Sequence, residues 1–252
     1  RLGGRAYSFK DRTTGQEIDN GQHVFLGCCS AYVDLLAHVG SWAFVKQQDT
    51  LRIEVRSNSK SGVLTSAPLP APFNLLPSFM KYPHLTMSEK FRIVLPLFKI
   101  RFEPKIFRQR LRDQSFHDWL VRNHQSEHAI TNFWDLLILP SLNDQSSEVS
   151  ASMGFMVFKE ALLSTRRGAN IGFATEGLST AMGDTIHRWL ENRGAEIRTS
   201  TGADGFTLNA SGEIDSIKLS RSRKILGDAY VMCVPPSDLE KQLSANVQNN
   251  PS

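Results

Sequence analysis

A chain of 252 residues has room for one large core or two modest ones. Its 40% hydrophobic and 21% charged residues make a globular composition, which excludes wholesale disorder and a coiled coil. The net charge is only +4, and three cysteines are too few for a disulfide framework or a four-ligand zinc site, so a reducing compartment fits.

The chain opens on Arg1-Leu2-Gly3-Gly4-Arg5 without the strand that ordinarily leads into a glycine turn, so a piece of a longer protein is expected. No signal or targeting sequence is visible, and no apolar run reaches the roughly 20 residues that span a bilayer. Paired glycines let backbone amides approach a phosphate, and Arg5 adds a forked, permanently charged partner for a pyrophosphate. A plain turn fits the same five residues. Asp19-Asn20-Gly21-Gln22-His23 is denser in polar side chains than a connector requires, and Val24-Phe25-Leu26-Gly27 leads from it to a helix N-terminus, a natural anion or cofactor site. The plainer reading is an Asx-turn with His23 paired to backbone.

Cys28, Tyr32, Leu35, Leu36 and Val39 then recur at helical spacing, with Gly40 where a C-cap glycine belongs. Leu51, Ile53 and Val55 alternate with polar residues, which predicts a half-buried strand turning at 58–62 toward a partner around Val63. Pro68, Pro70, Pro72 and Pro77 break the chain into a bend. Residues from there to about 165 read as helical. Thr86 with Glu89, and Ser115 with Asp118, form capping boxes. Ser126 caps a helix that Pro140 ends, and Ser147 caps another. A further helix runs from Leu178 through Met182, Ile186, Trp189 and Leu190 to Gly194. Strands are expected at 196–198, around Phe206, at 214–219 and, as a buried apolar run, at 230–234. The fold class is therefore α/β material flanking an all-helical insertion, with boundaries at 1–66, 67–168 and 169–252.

Between positions 81 and 112 stand nine basic residues, among them Lys90, Arg92, Lys99, Arg101, Lys105 and Arg108, against Glu89 and Glu103. They interleave with Phe91, Leu95, Leu97, Phe98, Ile100, Phe102, Ile106 and Phe107, the composition of a surface-lying amphipathic helix that meets anionic headgroups. An ordinary solvated helix face has the same composition. No nucleic-acid-binding motif accompanies the patch. His117, His124 and His128 lack a cysteine or carboxylate that would complete a ligand set, so no metal is expected. Cys28 and Cys29 start an apolar helix face and read as buried thiols. Gly-x-Ser-x-Gly and Walker A loops are absent.

Arg1-Leu2-Gly3-Gly4-Arg5-Ala6 resembles the second glycine motif of the flavin-containing amine oxidase and phytoene desaturase superfamily. The stretch from Ile18-Asp19-Asn20-Gly21 to Cys28 resembles the segment just after that motif in carotenoid and squalene-associated desaturases. Pro70-Ala71-Pro72-Phe73-Asn74-Leu75-Leu76, Leu85-Thr86-Met87-Ser88-Glu89-Lys90, Gln125-Ser126-Glu127 through Phe133-Trp134, Leu139-Pro140-Ser141-Leu142-Asn143, Glu160-Ala161-Leu162-Leu163 and Gly177-Leu178-Ser179 are similar to the hydroxysqualene dehydroxylase family. Gly227-Asp228-Ala229-Tyr230 through Pro236 resembles that family's Ala-Asp-x-Val-Val-x-Ala-x-Pro strand.

The resemblance implies a partial Rossmann-like FAD-binding domain with a helical, substrate- and membrane-facing insertion. It implies FAD as cofactor, held by Leu2, Gly3, Gly4, Arg5, Asp19 and Gly21, with Ala203 at the adenine where a valine is commoner. The family's N-terminal Gly-x-Gly-x-x-Gly turn and C-terminal flavin segment are not among these 252 residues. The implied reaction reduces hydroxysqualene, a C30 isoprenoid, to squalene, with His23 as the candidate proton donor to the departing hydroxyl. So insoluble a substrate implies peripheral, monotopic binding to the inner face of a bacterial cell membrane. Two alternatives stay open: a phytoene or ζ-carotene desaturase, and a non-catalytic lipid-binding module.

Overall fold

A computed structural model of the chain describes residues 2–21, 23–57, 59–104, 110–220 and 223–249. Lys105, Ile106, Phe107 and Arg108 of the basic stretch, together with Arg1, Gln22 and Asn58, lie outside the described residues. Two compact units are present. One is Gly3–Trp189; the other joins Arg1–Leu2 to Leu190–Ser252.

The larger unit begins with a hairpin of β1 (Ser8–Lys10) and β2 (Glu17–Asp19), then β3 (Val24–Leu26) and α1 (Ser30–His38). Strand β4 (Val45–Gln47) follows, and then a second hairpin, β5 (Arg52–Arg56) and β6 (Ser61–Thr65), which is the predicted alternating strand and its partner, with Ile53 opposite Leu64. A later strand, β7 (Ile171–Ala174), enters between β3 and β4, antiparallel to both.

Between β6 and β7 lies the helical block: α2 (Leu76–Lys81), α3 (Met87–Phe102), α4 (Phe116–Arg122), α5 (Glu127–Ala129), α6 (Asp135–Leu142) and α7 (Ala151–Phe158). π-helical turns at Ile130–Trp134 and Lys159–Leu163 extend α5 into α6 and prolong α7. A π turn widens the helix by one residue. That lets adjacent side chains both point inward, and Phe133 and Trp134, like Leu162 and Leu163, are all buried. An aromatic cluster sets the core here. Trp134 is fully buried, with ring centroids 4.7 Å from Phe158, 5.2 Å from Phe133 and 5.8 Å from Phe116.

Two boundaries differ from expectation. Pro140 does not end its helix: it stands exposed inside α6, and Asn143 at φ 56° closes the helix three residues later. The cap of α7 is Ser150, which accepts from the Met153 N–H, rather than Ser147. Ser147 falls in a turn in which the Gln145 carbonyl accepts from Glu148 and Val149. Ser115 caps α4 through the Asp118 N–H.

At the start of α3 the capping box is complete, and Glu89 does more than cap. Its carboxylate accepts from the Thr86 N–H (2.9 Å) and hydroxyl (2.9 Å), from the Ser126 hydroxyl that caps α5 (2.7 Å), and faces His128 Nδ1 at 3.0 Å. Burial pushes this carboxyl up, but the hydrogen bonds from Ser126, Thr86 and His128 together outweigh it and hold it down at about 2, against its ordinary 4.5. A depressed carboxyl adds stability above pH 4.5 that is lost as pH falls toward about 2. Glu89→Gln is therefore expected to lower stability at neutral pH by about 1–3 kcal/mol. It should also flatten the fall between pH 4.5 and 2, as read by denaturant titrations across that range.

Past β7, a π-helical turn (Ser179–Asp184) runs into α8 (Thr185–Glu191), as the apolar spacing predicts. The smaller unit holds an antiparallel sheet in the order β10 (Arg223–Ile225), β9 (Ile214–Leu219), β8 (Ala203–Leu208), followed by α9 (Pro236–Asn249). Two expected strands do not form. At 196–198 the Glu196 and Arg198 side chains pair with each other in solvent at 2.6 Å, and the backbone joins no sheet. At 230–234 Val231 is 88% exposed, and the run is fixed instead by the Tyr230 hydroxyl donating to the Asp215 carbonyl of β9 at 2.7 Å.

Candidate functional site

Gly3 and Gly4 both adopt left-handed backbone, at φ 82° and 58°. The Ala6 N–H donates to the Gly3 carbonyl at 2.9 Å and closes the turn. A Cβ on Gly3 would stand 2.2 Å from the Ala6 carbonyl oxygen, so only glycine fits there, whereas Gly4 faces open space. Among the described residues the Gly4 and Arg5 N–H groups and the Arg5 guanidinium make no hydrogen bond or ion pair, and all three are exposed. Two free amides and a free guanidinium on one glycine turn fit a diphosphate.

The turn is anchored to the loop after β2. Asn20 donates from Nδ2 to the Arg5 carbonyl at 3.0 Å and from its N–H to the Tyr7 carbonyl at 2.8 Å, while its own carbonyl lies 3.2 Å from His23 Nε2. One asparagine thus links Arg5 to His23. Gly21, at φ 94°, makes the bend between them. Asp19 has a different position: its Oδ1 accepts from the Ser8 hydroxyl (2.8 Å) and the Leu178 N–H (3.0 Å). Ser8 and Ser179 complete the clasp through reciprocal bonds of 2.8 and 3.0 Å. This carboxylate fastens the first hairpin to the π-helical turn at 179–184. Leu2 and Ala203 belong to the smaller unit, where Ala203 opens β8 opposite Leu219, just before a bulge at Gly205.

A second feature lies wholly within the larger unit. A cavity of about 390 Å³ sits between the β5–β6 hairpin and the helical block, within the usual size of small-molecule sites, about 300–1,000 Å³. Leu51 and Leu64 come from the hairpin, Phe79 from α2, Val94 and Leu97 from α3, and the π turns add Phe133, Leu162 and Leu163. Among the described residues every lining side chain except Arg101 is apolar. Sequence reading missed this cavity because its walls are some 110 residues apart in the chain. The available signal was the pairs of adjacent buried apolar residues that break the helical period.

Helix α3 divides around its circumference. Ile93, Pro96 and Ile100 are buried in the core; Val94, Leu97 and Arg101 face the cavity, which Phe98 and Phe102 also line. Met87, Phe91, Leu95, Phe98 and Phe102, at spacings of four, four, three and four, are 46–68% exposed. A face this apolar on the outside is a contact surface. Lys90 does not contribute to it: the side chain is buried and its ammonium donates to the Met80 carbonyl at 2.7 Å. Lys99 donates to Asn123 Oδ1 at 2.6 Å, and Arg92 is exposed.

The remaining candidates are structural. Burial, reinforced by the adjacent Cys29, pushes the Cys28 thiol up to about 11, so it stays protonated at neutral pH and is no nucleophile. His117 faces Glu127 at 3.0 Å and His128 faces Glu89 at 3.0 Å, while His124 takes a left-handed turn position at φ 59°. Among the described residues no group of histidines, cysteines and carboxylates could hold a metal ion, and no helix is long and apolar enough to cross a membrane.

A family model described as flavin containing amine oxidoreductase matches residues 1–251. Similar curated proteins include the chloroplastic/chromoplastic ζ-carotene desaturase of Zea mays, 26% identical over 91% of this chain and 43% of its own length. The 15-cis-phytoene desaturase of Solanum lycopersicum is 23% identical over 93% of this chain and 40% of its own. The chain thus spans less than half the length of these two relatives. Among solved structures, a triple mutant of putrescine oxidase superposes with a TM-score of 0.64 at 16% identity, over 96% of this chain and 52% of that one. A Rab GDI from Plasmodium falciparum gives 0.50 at 11% identity, over 94% and 58%. These likenesses show the fold, a mixed α/β architecture of the FAD-dependent amine oxidase type.

Proposed function

Because the chain belongs to the flavin-containing amine oxidoreductase family, whose cofactor is FAD, we propose that it serves an oxidoreductase acting on a long isoprenoid chain, reducing hydroxysqualene to squalene. The observation that carries the substrate class is the cavity of about 390 Å³ walled almost wholly by hydrocarbon. A C30 chain gains from the apolar contacts that nearly all of this wall offers.

The flavin, when bound and in its two-electron-reduced form, would supply the hydride that replaces the allylic hydroxyl, ending as FAD while the hydroxyl leaves with a proton as water. The protein's part is to hold and to exclude. The turn at Gly3 and Gly4 would offer the Gly4 and Arg5 amides to the FAD diphosphate, and the Arg5 guanidinium would take a phosphate oxygen pair. The lining of leucine, valine and phenylalanine keeps water from the reacting chain. His23, whose Nε2–H donates to the Asn20 carbonyl, would carry a second proton at Nδ1 as the imidazolium and would give that proton to the departing hydroxyl. His23→Ala in the flavin-loaded protein is expected to lower turnover by about 100-fold while leaving flavin content at its normal level. Unchanged turnover removes His23 from the reaction.

The substrate is tested by product analysis. Reduced flavoprotein incubated with hydroxysqualene is expected to release squalene; no squalene, with desaturation of phytoene or ζ-carotene instead, overturns the proposal. That second reading draws on the carotene desaturases among the relatives. A colourless protein that still binds lipid would favour a non-catalytic module.

A substrate this insoluble is collected from a membrane, and the exposed stripe of α3 supplies the means. Phe91, Leu95, Phe98 and Phe102 would enter the acyl boundary beside the cavity wall, with Arg92 at the headgroups, in peripheral attachment to the inner face of the cell membrane. Phe91→Asp with Leu95→Asp is expected to cut sedimentation with phosphatidylglycerol-containing vesicles at low salt by about tenfold or more. Undiminished sedimentation excludes α3 as the docking face.

A further inference from the structure

We propose that the cavity beside α3 also takes a long-chain amphiphile with a carboxylate end, and that Arg101 is the residue that recognises its charge. The inference rests on reading the cavity as a site for a lipid chain. Among the described residues Arg101 is the single charged side chain in a wall otherwise built of hydrocarbon. Among the described residues its guanidinium has no ion pair and no hydrogen bond, and its one charge contact is the face of the Phe102 ring, 5.6 Å away. Arg101 is only partly buried, and a carboxylate would give this cation a stronger partner than water or the ring face.

The hydroxyl of the proposed neutral substrate offers a guanidinium one uncharged acceptor. A carboxylate offers two oxygens in the spacing of the guanidinium fork, and its chain continues into the apolar space that Val94, Leu97 and Leu162 enclose. A phosphate monoester would be better served by a second cation, and among the described residues none lines the cavity. Arg101 also stands in the last turn of α3, next to the exposed Phe98 and Phe102. That is where the headgroup of a chain drawn from a lipid surface would come to rest. Long-chain carboxylates would thereby compete with the neutral substrate for the same space.

The test is a calorimetric titration of the flavin-loaded protein with laurate and with dodecanol, which share one chain and differ at its end, both below their aggregation concentrations. Laurate is expected to bind about tenfold or more tighter than dodecanol. Arg101→Gln should bring that ratio to about one, and Arg101→Lys should keep part of it. Equal affinities in the unaltered protein, or a ratio that survives Arg101→Gln, overturn the inference and leave the cavity reading intact. If neither ligand binds, the cavity reading falls and this inference with it.

Discussion

Replacing Gly3 by alanine is expected to strip the protein of flavin. The residue sits at φ 82°, where a side chain costs about 1–2 kcal/mol, and the added Cβ would meet the Ala6 carbonyl oxygen at 2.2 Å. That oxygen is backbone, fixed by a turn whose own closing bond runs between the same two residues, so no rotamer change relieves the clash. The turn must open. Once it opens, the Gly4 and Arg5 amides no longer converge, and flavin retained after dialysis should fall by well over tenfold. Gly4→Ala bears a similar backbone cost but projects into open space, so a loss of a few-fold is expected. Arg5→Gln keeps the turn and removes a charge-assisted pair, for a loss of about 10- to 100-fold. The order Gly3→Ala, Arg5→Gln, Gly4→Ala in flavin-to-protein absorbance is the signature of a diphosphate held on this turn. Full flavin occupancy in Gly3→Ala would place the cofactor's phosphates elsewhere.

How far the sequence disclosed the molecule depends on the range of the interactions involved. The Thr86–Glu89 box and the β5–β6 hairpin were legible because their partners lie within a few residues and their chemistry is local. The run at 230–234 was not, because an apolar pentapeptide becomes a strand only where a sheet edge receives it, and here Tyr230 hooks its hydroxyl onto β9 instead. Pro140 misleads because proline disfavours a helix interior without always stopping it, and α6 runs on to Leu142 before Asn143 closes it. In the candidate site, the glycine turn was readable from Gly3-Gly4-Arg5 alone. The clasp of Asp19 on Ser8 and Leu178 was not, since it closes over about 160 residues. The cavity was least legible of all, being a property of five segments at once.

Trp134→Ala should produce the largest loss of stability available to a single substitution in the larger unit, about 3–5 kcal/mol, or a fall in Tm of roughly 6–20 °C for a chain of this size. The indole is fully buried against Phe116, Phe133 and Phe158, and removing it leaves a void those rings cannot all close. Its polar edge matters separately. Nε1–H donates to Gln125 Oε1 at 3.0 Å, and Gln125 in turn donates from Nε2 to the Arg92 carbonyl in the middle of α3. Trp134→Phe keeps most of the volume but leaves that buried oxygen unpaired, at about 1–3 kcal/mol. Gln125 then loses its orientation, and with it the hold on the helix that forms one wall of the cavity. The two variants consequently separate packing from positioning. Trp134→Ala should unfold early, whereas Trp134→Phe should stay folded at ambient temperature, retain flavin, and bind dodecanol more weakly than the unaltered protein. If Trp134→Phe matches the unaltered protein in both Tm and dodecanol affinity, the hydrogen-bonded relay from Trp134 through Gln125 to α3 has no part in shaping the cavity.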